Sequence, residues 1–247
     1  MRADNLSTSY AKYPDDIKLV KHIMTFLKQQ KTVVSDGGAC TPRRFRQLGI
    51  AFGAHGGLDS VHEIVLRASY DLEAFGELTR GTLSAIEQGT SFDNHLIYSI
   101  LHEPIYCEGT AAAWSAHRVQ AEYDAFDLDN PKTEDQRIYF YGELIFPWMF
   151  EDYAELRQVQ KVAEIVAADS QWPALFDEDQ LAKNEVPVFA AAYLEDMYVD
   201  WKLSMATAKK IKGCKVFATN VMFHDAIRSK MDEVVKQAFA LRDDVVD

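Results

Sequence analysis

The 247 residues carry 48% apolar side chains, 12% aromatics and a formal net charge of −12. That length admits one large domain or two small ones with a real core, and the acidic balance argues against a nucleic-acid partner, because phosphate binding needs a basic surface. The three cysteines, Cys40, Cys107 and Cys214, are widely spaced and form no CxxC. This speaks against a disulfide framework or a zinc site and predicts reduced thiols in a cytoplasmic protein. The segment MRADNLSTSYAKYPDD lacks the apolar run of a secretory leader. No stretch approaches the ~20 apolar residues of a membrane span, so no membrane association is expected.

From Asp15 to Gln30, Ile17, Val20, Met24 and Leu27 recur on one helical face, and Pro14 sits just before them. SDGGAC is a turn. Thr41-Pro42 has the form of an N-cap followed by the first helical position, opening a short helix with Phe45 and Leu48 inward. Glycines 49, 53, 56 and 57 interrupt the chain before helices predicted near Ser60–Tyr70 and Thr79–Gln88. Residues 94–120 predict a helix, a break at Pro104 and a second helix. Residues 124–137, with Asn130-Pro131, predict an exposed acidic loop. An aromatic stretch, RIYFYGELIFPWMFEDY, precedes a helix over Leu156–Ala168 with Val159, Val162, Ala163 and Val166 inward.

Beyond Trp172-Pro173 the pattern changes. Val186–Tyr193 is a continuous apolar run, as expected of a strand buried on both faces. A helix near Ser204–Ile211, a short strand Lys215–Thr219 and a helix from Asp225 to about Arg242 follow. The last carries the stripe Ile227, Met231, Val234, Ala238 and Leu241. Strand–helix–strand–helix is the order of a parallel α/β sheet. The expected division is a mainly helical region over 1–180 and an α/β region over 181–247. Two strands are too few for an independent buried parallel sheet, so the strands are expected to lack partners and to make the isolated chain aggregation-prone.

Open α/β folds place their sites at the carboxyl ends of strands. Asp196 follows the first strand and His224 follows the second. An acid and then a histidine in that order match the tail of the Ser…Asp…His order of α/β-hydrolases, the acid fixing the imidazole tautomer and the histidine acting as base and then acid. The competing reading makes Asp196 a helix cap and His224 a residue of a surface turn.

The segments VPVFAAAYLEDMYVD, KVFATNVMFHDAIRS, LHEPIYCEGTAAAWSAHRV, YGELIFPWMFEDY and WPALFDEDQLAKNEVPV, together with the C-terminal helix, resemble the larger type of proline iminopeptidase. The resemblance runs from YAKYPDD onward. It implies the C-terminal portion of an α/β-hydrolase fold with a large helical cap, and a serine-type activity that releases N-terminal proline from peptides. It matches Asp196 and His224 to the catalytic acid and base, and Glu103 and Glu143 to the cap carboxylates that hold the substrate's amine. A carboxylate in a poorly hydrated pocket suits a secondary ammonium. Phe146, Trp148 and Phe150 are candidates to line a proline pocket, with core packing the alternative role.

One feature of the family is absent: no serine lies in a G-x-S-x-G elbow. By the resemblance, the elbow, the oxyanion loop and the N-terminal part of the sheet lie upstream of the cap. His55-Gly56-Gly57 imitates an oxyanion motif but follows no strand, and by resemblance it falls among the cap helices. His62-Glu63 and His102-Glu103 do not complete H-E-x-x-H, and the seven histidines show no ligand spacing, so no metal and no cofactor are expected. The expected partner is a peptide with an N-terminal proline, and the chain alone is expected to be inactive. The alternative is a hydrolase-like protein without catalysis that binds a peptide or partner through the cap.

Overall fold

The computed structural model describes residues 9–127 and 137–243. Most of the predicted acidic loop, including Asn130-Pro131, lies outside the described residues. The described residues are mostly helical with one two-stranded parallel sheet, and the chain divides into two compact units. One comprises residues 9–51 and Leu58–Leu175; the other comprises Phe52–Gly57 and residues 176–243.

In the helical unit, α1 (Asp16–Gln29) buries Val20, Ile23, Met24 and Leu27. Helix α2 (Pro42–Arg46) begins as its sequence dictates: Pro42 occupies the first turn and Thr41 Oγ1 accepts from the Arg44 amide at 3.1 Å. Helix α3 (Gly57–Phe75) is longer than the predicted Ser60–Tyr70. It ends where Gly76, at φ +72°, adopts the left-handed conformation of a C-terminal cap and returns its amide to the Leu72 carbonyl. Helix α4 (Arg80–Gly89) is capped by Thr79.

The expected pair of helices over 94–120 is shorter than predicted. After α5 (Leu96–Leu101) and a single 3-10 turn at Pro104–Tyr106, regular structure resumes only at α6 (Ser115–Gln120). The intervening stretch contains three successive alanines, yet the Gly109 and Ala113 amides are taken by the carbonyls of Trp172 and Ala167, and Ala113 and Trp114 adopt positive φ. Tertiary hydrogen bonds override local preference there. The aromatic stretch, with α7 (Met149–Asp152), forms the core of this unit: Tyr141, Ile145, Phe146, Trp148, Met149, Phe150, Tyr153 and Leu156 are all buried in one cluster.

Helix α8 (Gln160–Ala168) buries Ala163 and Ala167, whereas Val162, expected inward, is 50% exposed. The preceding Leu156–Val159 is a 3-10 turn rather than α-helix. Its tighter winding shifts the phase of every later side chain. Deeper in the same unit, Arg43 grips Asp152 through Nε and Nη2, both at 2.9 Å, and Thr41 Oγ1 donates to the same carboxylate. Arg44, fully buried, lies over the Tyr153 ring.

In the second unit, after α9 (Glu178–Leu181), strand β1 (Val188–Tyr193) pairs in parallel with β2 (Cys214–Thr219), Val188 opposite Cys214 through Tyr193 opposite Thr219. Helix α10 (Trp201–Lys210) connects them, its N-terminus capped by Asp200. The predicted burial of the first strand on both faces is not met: all of β1 is only half-buried, and Val186 lies outside the strand and exposed. Each strand has one hydrogen-bonded neighbour among the described residues. One face is covered, where Ala191, Tyr193 and Phe217 pack against Met222, Ala226 and Val234. The expected final helix is two helices, α11 (Ala226–Ser229) and α12 (Met231–Asp243), broken at Lys230. The break resets the helical phase, so Val234 is buried while Ile227 and Met231 of the expected stripe are exposed.

Candidate functional site

Strand β1 runs out at Tyr193 and its chain turns at once, the Leu194 amide still bonded to the Thr219 carbonyl of β2. This turn delivers Asp196 beside the end of β2. After β2, Met222 and Ala226 are buried and fix the ends of the loop that carries His224. Nδ1 of His224 lies 3.0 Å from Oδ2 of Asp196. The other oxygen of Asp196 accepts the amides of Tyr198 at 2.8 Å and Val199 at 3.0 Å. Asp196 is therefore not the cap of α10, a role filled by Asp200.

The Asp196 side chain is 5% exposed and the His224 side chain 43%. Burial alone would raise the carboxyl pKa, but the hydrogen bonds from His224 and from the Val199 and Tyr198 amides outweigh it and hold Asp196 below the usual carboxylate range. An ionised carboxylate only accepts, so the hydrogen between the two residues sits on His224 Nδ1. That leaves Nε2 as the ring nitrogen that can exchange a proton with a reacting group. The Tyr198 ring stands edge-on to the imidazole, with centroids 4.8 Å apart.

The two glutamates singled out in the sequence lie in the helical unit. Glu103 accepts the Ser115 amide at 2.8 Å and the Ala116 amide at 2.6 Å, so it holds the start of α6. Glu143 accepts from the Tyr98 hydroxyl at 2.5 Å, and its carbonyl accepts from His102 Nε2 at 3.1 Å. His102 precedes Glu103 in the chain, so α5 and its C-terminal turn link the surroundings of both carboxylates. Phe146, Trp148 and Phe150 are buried in the aromatic core.

A second acid–histidine pair, absent from the sequence reading, joins His55 to Asp225. His55 Nδ1 lies 2.6 Å from Asp225 Oδ1, and the His55 amide donates to the same oxygen at 3.1 Å. Burial raises the Asp225 carboxyl pKa, but the His55 ring and amide lower it further, so it stays ionised and His55 Nδ1 carries the hydrogen. Ser229 Oγ approaches the same nitrogen at 3.0 Å. Because serine and aspartate share Nδ1, this group is no Ser–His–Asp relay, which needs the serine on Nε2. The His55 amide, bound to Asp225, is also committed away from any oxyanion. The two residues are 170 positions apart, and no local pattern links them. No group of metal-ligating side chains occurs among the described residues.

An acid and a histidine hydrogen-bonded at the carboxyl ends of adjacent parallel strands is the arrangement in which α/β-hydrolases hold their acid and base. Comparison of the whole chain with known proteins gives the more particular relationship. No family model matches the chain. It is 43% identical over 238 residues to the proline iminopeptidase aneH of Aspergillus aculeatus, covering 96% of this chain and 52% of that protein. It is 31% identical over 243 residues to the proline iminopeptidase of Aeromonas sobria, covering 98% and 55% respectively. The chain is thus homologous to the proline iminopeptidases along nearly all of its own length, and it spans about half the length of these curated relatives.

Proposed function

We propose that this chain is the part of a cytoplasmic prolyl-aminopeptidase-type serine hydrolase that carries the catalytic acid and base, with the nucleophilic serine and the rest of the α/β sheet supplied by the other half of such an enzyme. The observation that carries this reading is the Asp196–His224 hydrogen bond at the ends of β1 and β2. In this scheme His224 Nε2 takes the proton of the serine hydroxyl as it attacks the prolyl carbonyl and then gives it to the leaving amine. Asp196 stays ionised, holds the tautomer and offsets the imidazolium charge.

The helical unit acts as the cap. Glu143, and Glu103 through the lone pairs its two backbone contacts leave, face the secondary ammonium of a peptide with N-terminal proline. The homology over nearly the whole chain supports this reading.

The test is hydrolysis of a chromogenic proline amide by the 247-residue chain, and by a longer protein that joins it to a G-x-S-x-G half. Activity confined to the longer protein and abolished by Asp196→Ala and by His224→Ala upholds the proposal. Activity of the short chain overturns the assigned sites. Inactivity of both favours a binding protein.

A further inference from the structure

The segment Phe52–Gly57 leaves its sequence neighbours and packs into the C-terminal unit. There it meets the surroundings of His224 from two sides. His55 holds Asp225 through both its ring and its amide, and its ring stands edge-on to Phe223, with centroids 4.9 Å apart. Phe223 and Asp225 are the residues immediately before and after His224. Gly53 lies against Tyr198, so closely that a Cβ there would fall 2.3 Å from the ring. Tyr198 in turn packs on the His224 ring and donates its amide to Asp196. His55 Nε2 is buried without a hydrogen-bond partner among the described residues, and the polar engagement of this ring there runs through Nδ1 to Asp225 and Ser229.

We infer that His55 and Gly53 are positioning residues: they brace the loop bearing His224 so that its Nδ1 meets Asp196. The inference rests on the reading of Asp196 and His224 as the acid–base pair. The mechanism is geometric. A histidine on a surface loop samples several ring orientations, and one hydrogen bond to Asp196 must offset that entropy. Fixing both flanking residues and the ring face lowers the cost beforehand. A side chain at Gly53 would displace the Tyr198 ring, so glycine there leaves that ring its place against His224.

The experiment is nitrogen NMR of the histidine-labelled 247-residue chain, with the His55 and His224 signals assigned by His55→Asn and His224→Gln and folding checked by circular dichroism. In the unaltered chain the neutral His224 ring is expected to carry its proton on Nδ1. His55→Ala, Asp225→Ala and Gly53→Ala are each expected to lose that signal and give the tautomer mixture of a solvent-exposed imidazole. His55→Asn, whose amide can still donate to Asp225, is expected to restore it. A folded His55→Ala chain in which His224 keeps its Nδ1 proton overturns the brace. If His55→Ala does not fold, Asp225→Ala decides in its place, and retention of the Nδ1 proton there overturns the brace equally. Absence of the Nδ1 proton in the unaltered chain overturns the acid–base reading, and the brace with it.

Discussion

Asp196 divides its carboxylate between His224 and the backbone: Oδ2 lies 3.0 Å from Nδ1 of the ring, and Oδ1 accepts the Tyr198 and Val199 amides. The carboxylate is thus oriented by its own turn before it orients the histidine. In an active protein containing this chain, Asp196→Asn is expected to lower kcat by about 10⁴-fold with a small change in KM, because the amide favours the wrong imidazole tautomer. Steady-state kinetics on the proline amide check this. An equal loss in kcat and rise in KM would point to substrate binding instead.

Two carboxyl groups should give acid stability profiles of opposite sign. Asp196 is depressed below the usual range, so its contribution is present above the unfolded carboxylate pKa and is lost as pH falls through the lower folded value. Asp93 is raised to about 6 by burial and by the neighbouring Asp36, against the Glu155 amide and Arg44. Its folded form prefers the proton, so stability declines as pH rises from about 4 to about 6. Urea unfolding across this range should show that decline, and Asp93→Asn should remove it.

Glu143 and Glu103 should separate by readout. If Glu143 holds the prolyl ammonium as proposed, Glu143→Gln is expected to raise KM by about 10- to 100-fold, with kcat changed less. Glu103→Ala should add a structural effect, because the Ser115 and Ala116 amides lose their acceptor. The expected loss is about 1 kcal/mol of stability. A Glu143→Gln enzyme with unchanged KM would remove that residue from the amine site.

Within the helical unit, Gly49 tolerates no side chain. A Cβ there would lie 2.2 Å from the Tyr141 carbonyl oxygen and 2.5 Å from Phe140 Cβ, and backbone cannot move aside as a flexible side-chain tip can. Gly49→Ala is expected to destabilise by about 2 kcal/mol. Asp152→Ala, which leaves Thr41 and Arg43 without their shared acceptor, should cost about 2 kcal/mol, moderated because Arg43 is 34% exposed. Denaturant midpoints measure both.

Thiol reactivity should follow burial. Cys40 is buried and its thiol is pushed up to about 12, whereas Cys107 and Cys214 are only partly covered. At pH 8 a maleimide is expected to modify Cys107 and Cys214 in the folded chain and Cys40 only after unfolding. Labelling of Cys40 at the rate of the others would show that its core opens readily.

Much of the chain was legible from local pattern. The cap at Thr41, the start of α4 near Thr79, the face of α1, the strand–helix–strand order and the acid and histidine after successive strands follow from residue spacing and turn chemistry, which act over a few positions. The tertiary structure decided the rest. The 3-10 turn at Leu156–Val159 and the break at Lys230 turned two predicted stripes, because a small local change in winding rotates every side chain after it. The Ala167 and Trp172 carbonyls took amides of a stretch before α6 that was expected to be helical. Glu103 became a cap for α6, and His55, a poor imitation of an oxyanion motif in the sequence, became the partner of Asp225. These contacts join residues up to 170 positions apart, and periodicity carries no information at that range; packing of the folded chain alone brings them together.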